Sequence, residues 1–81
     1  MEEKVSINVI IAERIYPLKI DKKDEEKIIK AARLINEKIL LYKQKYQDKD
    51  TQDYLAMASL QFVIKLLEAE GNDELKKIMQ D

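Results

Sequence analysis

The chain has 81 residues, with 15 Lys and Arg against 16 Asp and Glu, no His, no Cys and a formal net charge of −1. So even a balance excludes a general binder of nucleic acid or anionic membrane surface, which needs a basic excess, and the missing cysteines exclude disulfides and thiolate chemistry. A single small domain buries a modest share of its surface, so self-association is a common supplement to its stability.

The opening Met1-Glu2-Glu3-Lys4 has acids where a signal peptide carries bases. An unbroken apolar run such as Val9-Ile10-Ile11-Ala12 is far short of the ~20 residues of a membrane span. The expectation is a cytoplasmic protein with no membrane insertion.

From Val5 to Ile11, β-branched residues alternate with Ser6 and Asn8, the period-two pattern of a half-buried strand. After Ala12-Glu13 a second alternation sets Tyr16, Leu18 and Ile20 against Ile15, Pro17 and Lys19. The two runs predict a β-hairpin over about 4–20, and Pro17, lacking an N–H, makes the second strand an edge. A lone hairpin is marginal in water, so it must lie on something.

Asp21-Lys22-Lys23-Asp24-Glu25-Glu26 supplies an N-cap candidate and acids for the first turn of a helix. Ile28, Ala32, Ile35, Ile39, Tyr42 and Tyr46 then recur in steps of four and three, broadened by Ala31, Leu34 and Leu41. They predict an amphipathic helix over about 22–47. The short polar link Asp48-Lys49-Asp50-Thr51 makes the next helix, about 51–70, an antiparallel neighbour, with Asp50 as its cap. Gly71-Asn72 ends it, and the tail over 71–81 is either a further short helix or a frayed end.

The second helix is apolar over most of its girth. Leu55, Ala58, Phe62, Leu66 and Ala69 form one stripe; Ala56, Leu60, Val63 and Leu67 form another, widened by Met57 and Ile64. Only Gln61, Lys65 and Glu68 make a dependable polar arc. One short helix and a hairpin cannot cover both stripes. A second copy must, so Leu60, Val63, Ile64 and Leu67 are the predicted oligomer interface. The expected fold class is therefore α+β and mostly helical: an N-terminal hairpin, then two antiparallel helices, the second forming a coiled-coil-like interface.

No catalytic constellation emerges. Without His or Cys there is no common general base, thiol nucleophile or usual zinc ligand, and no glycine-rich loop cradles a phosphate. Ser6, Ser59 and Thr51 read as strand-face, packing and helix-start residues, and the paired carboxylates as capping groups. Tyr42 and Tyr46 resemble a base-stacking platform, but both extend the apolar stripe, so packing explains them better. The expectation is no enzyme, no cofactor and no metal. Lys43 and Lys45, near a helix C-terminus where cations suit the dipole, have a second reading as a docking patch for an acidic partner.

Arg14-Ile15-Tyr16-Pro17-Leu18-Lys19-Ile20 resembles the Gly-Arg-x-Tyr-x-Leu second strand of the ZapA family. The acidic start at Asp24-Glu25-Glu26, with Ala31-Ala32 and Ile35-Asn36-Glu37-Lys38, is similar to that family's first helix. Leu55-Ala56-Met57-Ala58-Ser59-Leu60-Gln61 resembles its Leu-x-x-Ala-Ala-Leu-Asn segment. The likeness spans about residues 4 to 70. It implies a protein of the division ring that dimerises through its helices, often pairs again into tetramers, and bundles FtsZ filaments. It also implies that charged residues of the head face FtsZ: Arg14 first, then Lys19, Lys43 and Lys45. Two departures stand out. Glu13 replaces the usual glycine, which predicts a turn built differently and a hairpin one residue longer. Gly71-Asn72 interrupts the helix where the family commonly continues into a stalk.

Two rival readings remain on sequence grounds. One is a structural or adaptor dimer with an unrelated protein partner. The other is a ribbon-helix-helix DNA binder, whose outward strand face must read bases; here that face offers Ser6, Asn8, Ile10, Ile15, Pro17 and Lys19, with little positive charge.

Overall fold

A computed structural model describes residues 3–70. Strands β1 (Lys4–Ile11) and β2 (Arg14–Asp21) are followed by a 3-10 turn over Lys22–Asp24 and by helices α1 (Glu25–Lys45) and α2 (Thr51–Glu70). The predicted hairpin and two helices are thus present. The stop at Gly71-Asn72 and the tail lie outside the described residues.

The hairpin pairs Ile11 with Arg14, Val9 with Tyr16, Ile7 with Leu18 and Val5 with Ile20. Across a two-residue loop the flanking residues exchange both hydrogen bonds, and bonded pairs then alternate with unbonded ones. Pro17, opposite Asn8, falls in an unbonded pair with its nitrogen turned outward, so the ladder loses nothing by it. At the open end Lys4 pairs with Asp21, and the Lys22 amide donates to the Glu3 carbonyl at 2.9 Å.

The turn departs from the expectation attached to Glu13. It is a tight two-residue turn in which Ala12 (φ 54°) and Glu13 (φ 71°) both take the left-handed conformation, as a type I′ turn requires. Glu13 adopts the glycine geometry itself; no extra residue is inserted. A side chain at positive φ costs about 1–2 kcal/mol, so something must hold the turn in place.

α1 is shorter at both ends than its periodicity predicts. Lys22–Asp24 winds as 3-10, and Tyr46 is extended (φ −128°, ψ 102°). Asp24 occupies the N-cap position without a side-chain cap bond, its carboxylate lying 3.5 Å from Lys27 Nζ. α2 is capped as expected and more fully. The Asp53 amide donates to Asp50 Oδ1 at 3.0 Å, and the Asp50 amide donates back to Asp53 Oδ2 at 3.3 Å. This is a reciprocal capping box with aspartate at the third position.

α1 lies beneath β1, and α2 folds back on α1. The core is narrow: Val9, Ala32, Ile39, Tyr54 and Ala58 are its buried apolar residues. Ile39, Tyr54 and Ala58 form its centre, with Ala12, Ile35, Tyr42, Leu55, Met57 and Phe62 packed around them. Tyr54, absent from the predicted stripes, is 2 % exposed, and its hydroxyl donates to the Tyr46 carbonyl. That bond satisfies the one polar atom which burial would otherwise strand.

Candidate docking and self-association surfaces

The best-organised part of the surface is the hairpin tip, and α1 organises it. Asn36 Oδ1 accepts from the Ala12 amide at 3.1 Å, and Asn36 Nδ2 donates to the Ile10 carbonyl at 2.7 Å. Seven residues on, and on the same face of α1, Lys43 Nζ reaches Glu13 Oε1 at 2.8 Å. Two side chains from one face of α1 therefore hold the strained turn, while Ala12 packs against the edge of the core. Strained backbone persists where the surroundings over-determine it. The hydrogen bond from Lys43 holds the Glu13 carboxyl below its ordinary value of 4.5, and the same bond raises the Lys43 ammonium above 10.5.

This geometry separates the four predicted docking cations. Arg14 follows the turn on the strand face directed at the helices, and with Ala12, Tyr16, Thr51, Gln52 and Leu55 it lines a small cleft beside the start of α2. It is exposed and has no ion-pair partner among the described residues. Lys43 shares the tip but its charge is engaged by Glu13. Lys19 lies on the opposite strand face, beside Ser6, five residues and about 16 Å along the strand from Arg14. Lys45, two residues after Lys43, projects from the far side of α1 at ~100° per residue. Arg14 and Lys43 belong to one surface; Lys19 and Lys45 do not.

The predicted interface residues fall together. Leu60 is 64 % exposed, Val63 38 % and Ile64 39 %, with Leu67 half-buried beside them. The stripe of Leu55, Ala58 and Phe62 faces the core instead, and even Leu66 at its far end is exposed. Among the described residues, α2 is thus covered on one side alone. Tyr42 packs against the core, whereas Tyr46, just past the end of α1, is 42 % exposed; their ring centroids lie 6.2 Å apart with planes tilted by 37°.

Sequence reasoning missed Asn36 as a tip clamp and Tyr54 as the core's centre. Each left a signal. Asparagine inside a helix is disfavoured because its amide competes for backbone partners, and here that amide binds backbone in the neighbouring hairpin. Tyr54 lies one turn before Ala58 on the inner stripe.

Among the described residues no cluster of three or more His, Cys, Asp or Glu could hold a metal ion, and no helix is long and apolar enough to cross a membrane. Among the described residues the chain thus presents a clamped hairpin tip bearing an arginine without an ion-pair partner, and a helix with one exposed apolar side. The family model described as "Cell division protein ZapA" matches residues 7–81, and the chain belongs to the ZapA family. That is a non-catalytic family of cell-division proteins associated with FtsZ. No curated protein and no solved structure matches the chain.

Proposed function

We propose that the protein works in the cytoplasm at the mid-cell division site, where it binds FtsZ filaments through the hairpin end and cross-links them as a homodimer or homotetramer. The observation that carries this reading is the uncovered face of α2: Leu60, Val63 and Ile64 stand exposed on one stripe. A monomer has one docking end and bridges nothing. Joined through α2, two or four copies hold several ends at fixed separation, and avidity multiplies weak single contacts.

Arg14 is the favoured docking cation, being exposed, without an ion-pair partner among the described residues and set on a tip that α1 holds still; Lys43, Lys19 and Lys45 are secondary. The outward hairpin face, with Ile10 and Ile15 prominent, offers little to read bases, so DNA has no part in this reading.

Co-sedimentation with FtsZ filaments tests it. The unaltered chain should pellet with filaments at low salt and gather them into bundles visible by electron microscopy. Arg14→Glu should keep its fold and oligomeric state but bundle weakly. Absence of pelleting at low salt overturns the FtsZ assignment; unchanged bundling by Arg14→Glu moves the docking site away from the tip.

A further inference from the structure

One helix face is used neither by the core, nor by the hairpin tip, nor by the outer stripe of α2. A residue before the buried stripe of α1 runs a second series in steps of four and three: Lys27, Ala31, Leu34, Lys38, Leu41 and Lys45. These six positions fall within about 80° of the circumference at ~100° per residue, on the side of α1 turned away from the hairpin. Leu34 is 44 % and Leu41 48 % exposed. Lys27, Ala31 and Lys45 are exposed too, while Lys38 is partly covered, its ammonium 5.5 Å from the centroid of the Tyr42 ring.

Leucines seven residues apart, with alanine and lysines at the other positions of the series, make a heptad seam. Its composition restricts what can lie on it. No acid falls within the series. Lys27 has a single loose partner, Asp24 at 3.5 Å, and Lys45 has no ion-pair partner among the described residues. Two copies of the face would oppose lysine to lysine. The outer stripe of α2 carries only two acids, Asp53 and Glu70, one at each end, so it cannot match the row of three lysines. The seam is about 27 Å long, the length of about two and a half heptads of a partner helix.

We propose that this face of α1 docks an amphipathic α-helix of another protein, with apolar side chains meeting Leu34 and Leu41 and carboxylates meeting Lys27, Lys38 and Lys45. The assignment is independent of FtsZ binding at the tip, and it gives each subunit a second docking surface on the side away from the hairpin.

The probe is a synthetic helical peptide of three heptads, with leucine at two seam positions and glutamate at the others, fluorescently labelled for anisotropy titration against the full chain. Saturable binding is expected, weakening as salt rises, with no binding of the same peptide carrying lysine in place of glutamate. Leu34→Asp with Leu41→Asp should weaken binding at least about tenfold, because it removes both apolar anchors and adds like charge. Lys38→Glu with Lys45→Glu should reverse the preference towards the lysine peptide. Circular dichroism and sedimentation should show fold and oligomeric state unchanged in both variants. The proposal is overturned by equal binding of the two peptides, by no binding of the acidic peptide, or by loss of self-association in the leucine variant, which would mean that a second copy covers the face. It is overturned equally if phosphatidylglycerol vesicles bind with the same lysine dependence while the peptide does not.

Discussion

Replacing Asn36 by alanine tests the claim that α1 holds the hairpin turn. The change removes an acceptor 3.1 Å from the Ala12 amide and a donor 2.7 Å from the Ile10 carbonyl. At about 1 kcal/mol net for each hydrogen bond, the loss is about 2 kcal/mol. Alanine regains about 0.6 kcal/mol in helix propensity, leaving a net destabilisation near 1.5 kcal/mol. Total stability for a chain of this length is about 4–12 kcal/mol, so the protein should remain folded while Tm falls by roughly 6–12 °C. Melts must be compared at equal protein concentration, since assembly raises Tm by mass action. The decisive assay is amide hydrogen exchange at Ala12. In the unaltered chain that amide should be protected; in Asn36→Ala it should exchange far faster, while amides in the middle of α1 change little. Asn36→Asp keeps the acceptor and loses the donor, so near neutral pH it should restore protection at Ala12. Unaltered exchange at Ala12 in Asn36→Ala, or a rise in Tm, would refute the clamp.

Glu13→Gly should raise stability by about 1 kcal/mol in urea melts, because glycine takes the left-handed turn conformation without steric penalty; a lowered midpoint would show that the Lys43 contact outweighs the strain. The Glu13–Lys43 contact also has a pH window. The Glu13 carboxyl is depressed below 4.5, so its contribution is present above that value and fades as pH falls through the depressed one. The Lys43 ammonium is raised above 10.5, so its share persists below that value and is lost as pH rises through the raised one. Amide exchange around the tip, corrected for intrinsic rates, should be slowest between these limits and should lose that dependence in Lys43→Met. Val63→Glu and Ile64→Glu should leave the subunit helical but shift sedimentation to the monomer, because an unpaired charge buried in an interface costs several kcal/mol. An unchanged oligomer for both would exclude this side of α2 as the interface.

The sequence alone determined the order of elements. Alternation of β-branched residues marked β1, the four-and-three spacing marked α1, and Asp50 marked the start of α2, because each signal is local and repeats with the period of its own structure. It also determined that α2 carries two apolar stripes. Which stripe faces inward was decided by tertiary packing: Tyr54 and Ala58 meet Ile39 and leave Leu60 and its neighbours outside. The separation of Lys43 from Lys45, two positions apart as text but on opposite sides of α1, acquires its meaning only once the hairpin's position is known. The left-handed turn at Ala12-Glu13 was hidden for a related reason. Nothing in either residue asks for that conformation; Asn36 and Lys43, far along the chain, hold it there. Local preference is written in neighbouring residues, whereas a strained turn is stabilised by groups that meet only after the chain has folded.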